Sequence, residues 1–578
     1  MSQMSATFRS QIDSYLDRLG TRQRATWPSG VARELSYPFG EVPLTEYLRR
    51  WAHERPEHPV ITWHGYDMSY TELDDLSDRV ASRLNALGLM PGDKVAVMMP
   101  NVPQFIVAFF GILKVGCVHV PINPMFRRQE IRYELEDTGA KVAFLLDDFA
   151  EEFERGSKGT RVEVVIATSV EDLLPQGADM PSGAQSNVPP AAGAERLMNV
   201  FSEPTGSVPQ DPMDIHALAA LNYTGGTTGM PKGCKHTQAD MLYTAVAGAT
   251  HVTSLDRNSV TLLYLPIFWI AGEDGFLVTF ACGGTVVLQY RYDAYEAAQA
   301  IARNGVTAFI GTVDNALEVL EVSKRIDVSL ATIETATVMS FVTKLSSDVR
   351  ERWRLESGSA AILRESSYGL TEDHTMDTFT LGLDDIDLEG RPGFVGLPVP
   401  GTDFAIIDFL TEELNPIGVE GQIIVRSPSM MAGYYENEEA TSETLRDGWL
   451  LTGDSGVIDE RGCLHYLGRR KEMLKVNGMS VFPSELEFQL SLHSDIAAAG
   501  VIGQPDEAKG EVPVAFVELR HGCDLEAKDI ESWCRQNIAP YKVPRVRVIA
   551  EMPMAPTGKV MKSELVRYAD AIKVSSST

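Results

Sequence analysis

The strongest constraint on the fold is an alternation of hydrophobic period between residues 71 and 147. TELDDLSDRVASRLNALG carries its apolar residues at helical spacing, GDKVAVMMP is a short apolar run, and the pattern repeats through VAFFGIL, CVHVPI and KVAFLL. Alternation of this kind builds βαβ units around a mostly parallel sheet, so the expected class is α/β. It resumes after residue 215, which predicts a second subdomain of the same type. Residues 403–467 read instead as short strands and turns (DFAIID, GQIIVRS, GWLLTGD, GCLHYLG), a small β subdomain. Beyond them, SELEFQLSLHSD and DIESWCRQNI have helical period, while AAAGVIG and VPVAFVEL read as strands. The expected organisation is a large N-terminal domain over residues 1–467 and a small α/β C-terminal domain over 468–578. Within the former, residues 168–212 turn to Pro, Gly, Ser and acidic composition, which predicts a surface insertion or linker.

Length and charge narrow the functional classes. A chain of 578 residues exceeds the size at which single cores stop growing, in keeping with two or more domains. Its 80 acidic residues against 51 basic ones give a net charge of -29, and no basic run offsets it. Nucleic acid and anionic lipid are therefore not expected partners, and an anionic nucleotide must be held by local groups. Six cysteines (Cys117, Cys234, Cys282, Cys463, Cys523, Cys534) form no CxxC pair, which argues against a zinc ribbon or disulfide framework and for a reducing compartment. The amino terminus lacks the apolar core of a signal peptide, and the most apolar stretch, 105–122, is broken by Lys114, Gly116 and His119. The expectation is a cytoplasmic enzyme without a membrane span. HERPEH at 53–58 is not a zinc-protease motif, because its histidines are five apart and Pro56 would break the helix presenting them.

Residues 223–233, YTGGTTGMPKG, carry the most chemistry. Glycines let backbone amides approach an anion closely, and the threonine hydroxyls and Lys232 add donors, which together suit phosphate oxygens. The spacing is not that of a Walker A loop. Further on come YGLTE at 368–372, TGD at 452–454, GRRKEMLKVNGMSVFPSELE at 468–487 and PTGKVMK at 556–562.

In this order the segments resemble the signatures of the adenylate-forming superfamily of acyl-CoA synthetases, peptide-synthetase adenylation domains and luciferases. The likeness extends through GDKVAVMMPN and VPIN to cover nearly all of residues 65–565. It implies that Thr224, Gly225, Gly226, Thr227, Thr228, Gly229 and Lys232 cradle the ATP phosphates. It further implies that Tyr368 and Gly369 lie at the adenine, that Thr371 contacts phosphate, and that Glu372 with Thr227 holds Mg²⁺. Asp454, Tyr466 and Arg469 complete the nucleotide set, Asp454 taking the ribose hydroxyls. Lys559 resembles the lysine that enters from a mobile C-terminal domain to bridge carboxylate and α-phosphate. Charge develops there, so a positioned cation is required. The same likeness implies a hinge at Lys471, a CoA-facing surface with Lys475, Gly478 and Ser480, and an acyl pocket with Trp269, Phe341, Val342 and Gly311. Val481, Pro483 and Glu485 follow the CoA-ligase branch, so CoA is the expected acceptor and a hydrophobic acid the expected substrate. A homodimer, a partner enzyme or a carrier protein stays open.

Four positions depart from the resembling pattern: Gly225 for serine, Trp269 and Gln238 for histidines, and SFVTK at 340–344 for a glycine-rich segment. The last motivates one alternative to a complete ligase, an enzyme retaining only one half-reaction; a non-catalytic homologue and, more remotely, a luciferase-like oxygenase on the same scaffold stand beside it.

Overall fold

The computed structural model describes residues 3–203, 205–224, 231–389, 393–472, 474–476, 479–506, 510–538, 540, 542–555 and 558–575. Among these the strands fall into four sheets. One seven-stranded sheet runs Glu195–Arg196, Val164–Thr168, Val142–Leu146, Lys94–Met98, Val118–Pro121, Leu218–Tyr223, Gly233–Thr237, parallel except where the last two pair antiparallel. A second runs Leu363–Glu365, Thr335–Met339, Ala308–Thr312, Val260–Leu263, Thr285–Leu288, Pro59–Trp63, Tyr66–Ser69, parallel apart from its edge hairpin. The two βαβ subdomains expected from the period are therefore present. The third sheet is antiparallel and contains Asp403–Ile407, Gly421–Arg426, Trp449–Ile458 and Leu464–Arg469. The fourth draws its strands from residues 474–549 alone, with helices Pro483–Ser491 and Ala527–Asn537 packed on it.

The apolar stretch near residue 105 becomes helix Pro103–Val115, buried along its whole length. It lies against helix Tyr70–Ala86 so closely that a Cβ on Gly111 would stand 2.6 Å from Val80 Cβ. Lys114, fully buried, is satisfied by Asp74 Oδ1 and Asp78 Oδ1 at 2.6 Å each and by the Asp74 carbonyl at 2.9 Å. The lysine that interrupts the hydrophobic run is thus a helix clamp. Among the described residues no helix is long and apolar enough to cross a membrane.

One expectation needs correction. The segment 168–212 is not a surface insertion throughout: Glu195–Arg196 extends the first parallel sheet, and helix Leu197–Ser202 buries Leu197, Val200 and Phe201 in the main core. Arg83 forks onto Glu195 at 2.9–3.0 Å and ties this return to the long helix. The amino terminus is also more integrated than its composition suggests. Helix Ala6–Thr26 lays Phe8 edge-on to Trp449 at 6.0 Å, covering the antiparallel sheet.

Gly111→Val should push a branched side chain into Val80 and lower stability by about 1–3 kcal/mol, the usual cost of overpacking a core. Thermal denaturation checks this, and an unchanged midpoint would mean the two helices slide apart freely.

Candidate active site

The nucleotide-side residues are assembled by strand register. Asp454 on Trp449–Ile458 pairs directly with Arg469, the last residue of Leu464–Arg469, and Gly453 at φ +70° turns the chain just ahead of the carboxylate. Arg469 Nε lies 2.8 Å from Asp454 Oδ1, and the Tyr368 hydroxyl donates to Oδ2 at 2.7 Å. Oδ1 is buried and makes no directed hydrogen bond despite the ion pair. It therefore keeps acceptor capacity of the kind a ribose hydroxyl uses. Burial raises the Asp454 carboxyl to about 6, with Arg469 and Tyr368 opposing the rise. Tyr466 is half-buried with its ring centroid 5.7 Å from that of Tyr368. The Tyr368 ring itself is buried against Phe404 at 6.0 Å.

Gly369 sits where a Cβ would meet Thr375 Cα at 2.5 Å, because the chain doubles back through His374, Thr375 and Met376, all at positive φ. This tight return presents Thr371 and Glu372. The Thr371 carbonyl accepts from His236 Nε2 at 2.7 Å, and Glu372 Oε1 accepts from the Tyr434 hydroxyl at 2.8 Å. Lys232 places its ammonium 4.7 Å above the Tyr434 ring. The Thr224 amide donates to the Lys232 carbonyl at 3.0 Å, and the Lys232 amide to Thr224 Oγ1 at 3.3 Å, so the phosphate-loop stem is closed. Gly225, Gly226, Thr227, Thr228 and Gly229 lie outside the described residues, as does Gly478.

Mg²⁺ fits the donors present. No cluster of three acidic, histidine or cysteine residues able to hold a metal exists among the described residues. A single carboxylate, Glu372, instead lies on Tyr434, over whose ring Lys232 stands, and magnesium is ordinarily held by one or two carboxylates with phosphate oxygens and water.

Behind the turn of residues 368–376 lies a buried ionic layer that motif reading missed. His374 stands 3.0 Å from Asp274 and 3.8 Å from Glu273. Burial opposes its charge, but the two carboxylates outweigh it and lift it to about 9. Asp373 Oδ1 accepts the Leu370 amide at 2.6 Å. Burial raises Asp373 to about 7, and burial together with the Asp373 charge raises Asp377 well above its usual value. Two adjacent acids in the apolar helix Ile270–Ala281, and the acids of DHTMD, were the available signals, since acids seldom enter an apolar face unpaired. His236 and Tyr434 offered none.

The C-terminal residues converge on the same place. Lys559 keeps solvent access, yet desolvation and the Arg469 charge pull its pKa down while Asp454 and Glu472 oppose the fall. Its ammonium lies 4.9 Å above the Phe341 ring. Lys471 is in a short turn of 3₁₀ helix after Arg469, and Lys475 pairs with Ser480 across an antiparallel hairpin.

The acyl-side residues divide. Trp269 is half-buried, its ring 5.0 Å from Phe268. Gly311 faces the Tyr264 hydroxyl, which fills the space a side chain would take. Val342, expected in the acyl pocket, packs instead with Ile502, Phe516 and Met552 of the C-terminal unit. Tyr243, an aromatic that would also suit such a pocket, is buried with its hydroxyl on the Pro400 carbonyl at 2.8 Å. Gln238 also gains an explanation: its Oε1 accepts the Leu44 amide at 2.9 Å and caps helix Leu44–Glu54, which has no cap of its own.

Comparison with known proteins identifies the family and the fold. The family model described as AMP-binding enzyme matches residues 48–435, and that of the AMP-binding enzyme C-terminal domain matches 485–559. A long-chain-fatty-acid–CoA ligase of Yersinia pestis is 31% identical over 566 residues, covering 93% of this chain and 96% of the relative. That of Bacillus subtilis is 29% identical over 555 residues, covering 94% and 97%. In fold, the chain is similar to the anthranilate CoA ligase AuaEII in complex with anthranoyl-AMP (TM-score 0.79, 24% identity, 92% and 98% covered). It is likewise similar to ATP-bound MatB from Rhodopseudomonas palustris (TM-score 0.76, 24% identity, 90% and 98% covered).

Asp454 generates a prediction with a worked sign. Its folded pKa exceeds the unfolded one, so the folded state binds the extra proton and stability falls as pH rises between about 4 and 6. Above pH 6 the ionised carboxylate costs about 2–3 kcal/mol. Asp454→Asn should therefore hold or raise the thermal midpoint at pH 7.5 while weakening nucleotide binding roughly tenfold or more. In the wild type, the KM for ATP should rise as pH falls through about 6. A lowered midpoint with unchanged nucleotide affinity would contradict the assignment.

Proposed function

We propose that this chain, which belongs to the family of AMP-binding enzymes, activates a hydrophobic carboxylic acid as its acyl-adenylate and then passes the acyl group to coenzyme A. Attack of the carboxylate on the α-phosphorus of ATP forms the new P–O bond and expels pyrophosphate. Attack of the CoA thiol on the mixed anhydride then forms the thioester and expels AMP.

The observation that carries this reading is the convergence of Lys559, from the C-terminal unit, with Arg469, Asp454 and Tyr368. Two anions must approach each other in the first step, and an ammonium whose own hydration is reduced supplies the compensating charge at low reorganisation cost. Asp454 orients the ribose, Glu372 would hold magnesium, and Thr224 and Lys232 close the stem of the phosphate-binding segment. Magnesium would supply charge neutralisation at the phosphate oxygens. The buried carboxyls of Asp373 and Asp377 and the His374 ion pairs keep the turn beneath Glu372 fixed.

CoA must reach the same carbonyl from which Lys559 is reached, so the two steps need different placements of the C-terminal unit. Residues 468–578 act as that moving domain, with the turn at Lys471 as hinge and the hairpin carrying Lys475 and Ser480 as the face brought in for thiolation. Long-chain fatty acids are the first candidates for the acid, supported by the relatives at about 30% identity. Six unpaired cysteines fit a cytoplasmic setting.

Lys559→Ala should reduce ATP–pyrophosphate exchange by on the order of 10²–10³-fold. CoA-dependent AMP release from synthetic acyl-AMP should stay within about threefold of wild type, since it bypasses the charge Lys559 compensates. Equal loss in both assays would remove the lysine from its role. Across a panel of acids, equal turnover from short to long chains would overturn the hydrophobic specificity.

A further inference from the structure

We propose that Phe341 and Val342 form a fixed docking tip that seats the C-terminal unit and positions Lys559 for adenylation, an inference that rests on the role of Lys559 argued above. The tip belongs to SFVTK, the segment whose bulky residues the proposed chemistry left unused.

Residues 340–345 are held on both flanks by buried or half-buried groups of the large domain. The Ser340 amide donates to Glu365 Oε1 at 3.0 Å, and its hydroxyl bonds the other carboxylate oxygen. Thr343 donates its hydroxyl to Asp314 Oδ1 at 2.5 Å and its amide to Oδ2 at 3.3 Å. Lys344 turns back to donate to the Ser340 and Phe341 carbonyls at 2.7 and 3.3 Å. The Leu345 amide closes on Ser340 Oγ at 3.0 Å. A loop tied at so many points presents its tip in one conformation.

What the tip presents faces the C-terminal unit. Val342 enters the apolar cluster of Ile502, Phe516, Met552 and Leu565. The Phe341 ring lies under Lys559 Nζ at 4.9 Å, inside the roughly 6 Å over which a cation is attracted to an aromatic face. A Cβ on Gly558, beside Lys559, would come within 3.8 Å of the same ring. The Lys344 ammonium meanwhile feels Glu487 and, in the opposite sense, Lys562 of the C-terminal unit, which pair with each other at 3.2 Å. An apolar plug and a cation over a ring thus act on one interface. In this proposal Phe341 is a positioning residue, acting through Lys559.

The test separates the half-reactions in purified full-length protein. Phe341→Leu keeps apolar bulk but removes the ring. It should lower kcat for ATP–pyrophosphate exchange roughly three- to thirtyfold, with KM for ATP and acid changed less than about twofold and thiolation of synthetic acyl-AMP unaltered. Phe341→Tyr should restore exchange, and Val342→Gly should lower it without impairing thiolation. Retained thiolation shows at once that each variant folds. A raised KM with unchanged kcat would make Phe341 a pocket wall, and an equal fall in both half-reactions would make the loop merely structural; either result overturns the proposal. Wild-type protein that exchanges pyrophosphate with no acid would instead overturn the role of Lys559, and this inference with it.

Discussion

The contact between Asp454, Tyr368 and Arg469 is where separately built parts of the chain are forced into agreement. Tyr368 follows the edge strand of a parallel sheet, Asp454 lies on the antiparallel sheet, and Arg469 is the last residue of that sheet before the C-terminal unit. A carboxylate buried this deeply draws in a donor and a cation together, and even both do not fully offset its desolvation. The carboxylate thereby fixes the angle between sheets that no shared strand connects. It also leaves Oδ1 without a directed hydrogen bond, so a structural pin doubles as a candidate recognition group.

The ionic layer under residues 368–377 works by the same logic one step deeper. Glu273, Asp274, His374, Asp373 and Asp377 are all buried, and the layer persists because its charges are distributed: a histidine raised to about 9 between two carboxyl groups, and two aspartates whose carboxyls burial raises. Such groups contribute little net stability compared with apolar packing. What they supply is a single geometry for a backbone turn with three non-glycine residues at positive φ. Glu372 inherits its direction from that turn, with Tyr434 holding one oxygen.

Much of this was legible in the sequence. Period alternation gave the parallel sheets because it follows from burial on one or both strand faces, a local property. The motif residues Tyr368, Asp454, Arg469 and Lys559 are found together because their identity is tied to the chemistry. What stayed hidden depends on partners far away in sequence. Nothing near Gln238 announces that it caps a helix beginning at Leu44, and nothing in a Pro- and Gly-rich stretch announces that Glu195–Arg196 returns to the sheet edge. Polar composition marked 168–212 as surface, yet three apolar residues, Leu197, Val200 and Phe201, were enough to draw its end into the core.

The same limit explains the segment at 340–344. Read as sequence, bulky residues in place of glycines suggest an obstructed or reshaped substrate pocket, because a local reading can only compare side-chain size. In three dimensions the bulk of Val342 is turned toward the C-terminal unit, while the backbone is restrained by Glu365 and Asp314. Glycines would allow close approach of a ligand but could not carry a docking surface. A two-step enzyme of the proposed kind needs its small domain to visit two placements with comparable free energy. Apolar contact at the tip deepens one of them, and the half-exposed, partly desolvated Lys559 ammonium, held by a ring rather than a carboxylate, keeps that well shallow enough to leave. A carboxylate in place of Phe341 would pair with the lysine and cancel the charge that the phosphorus centre needs.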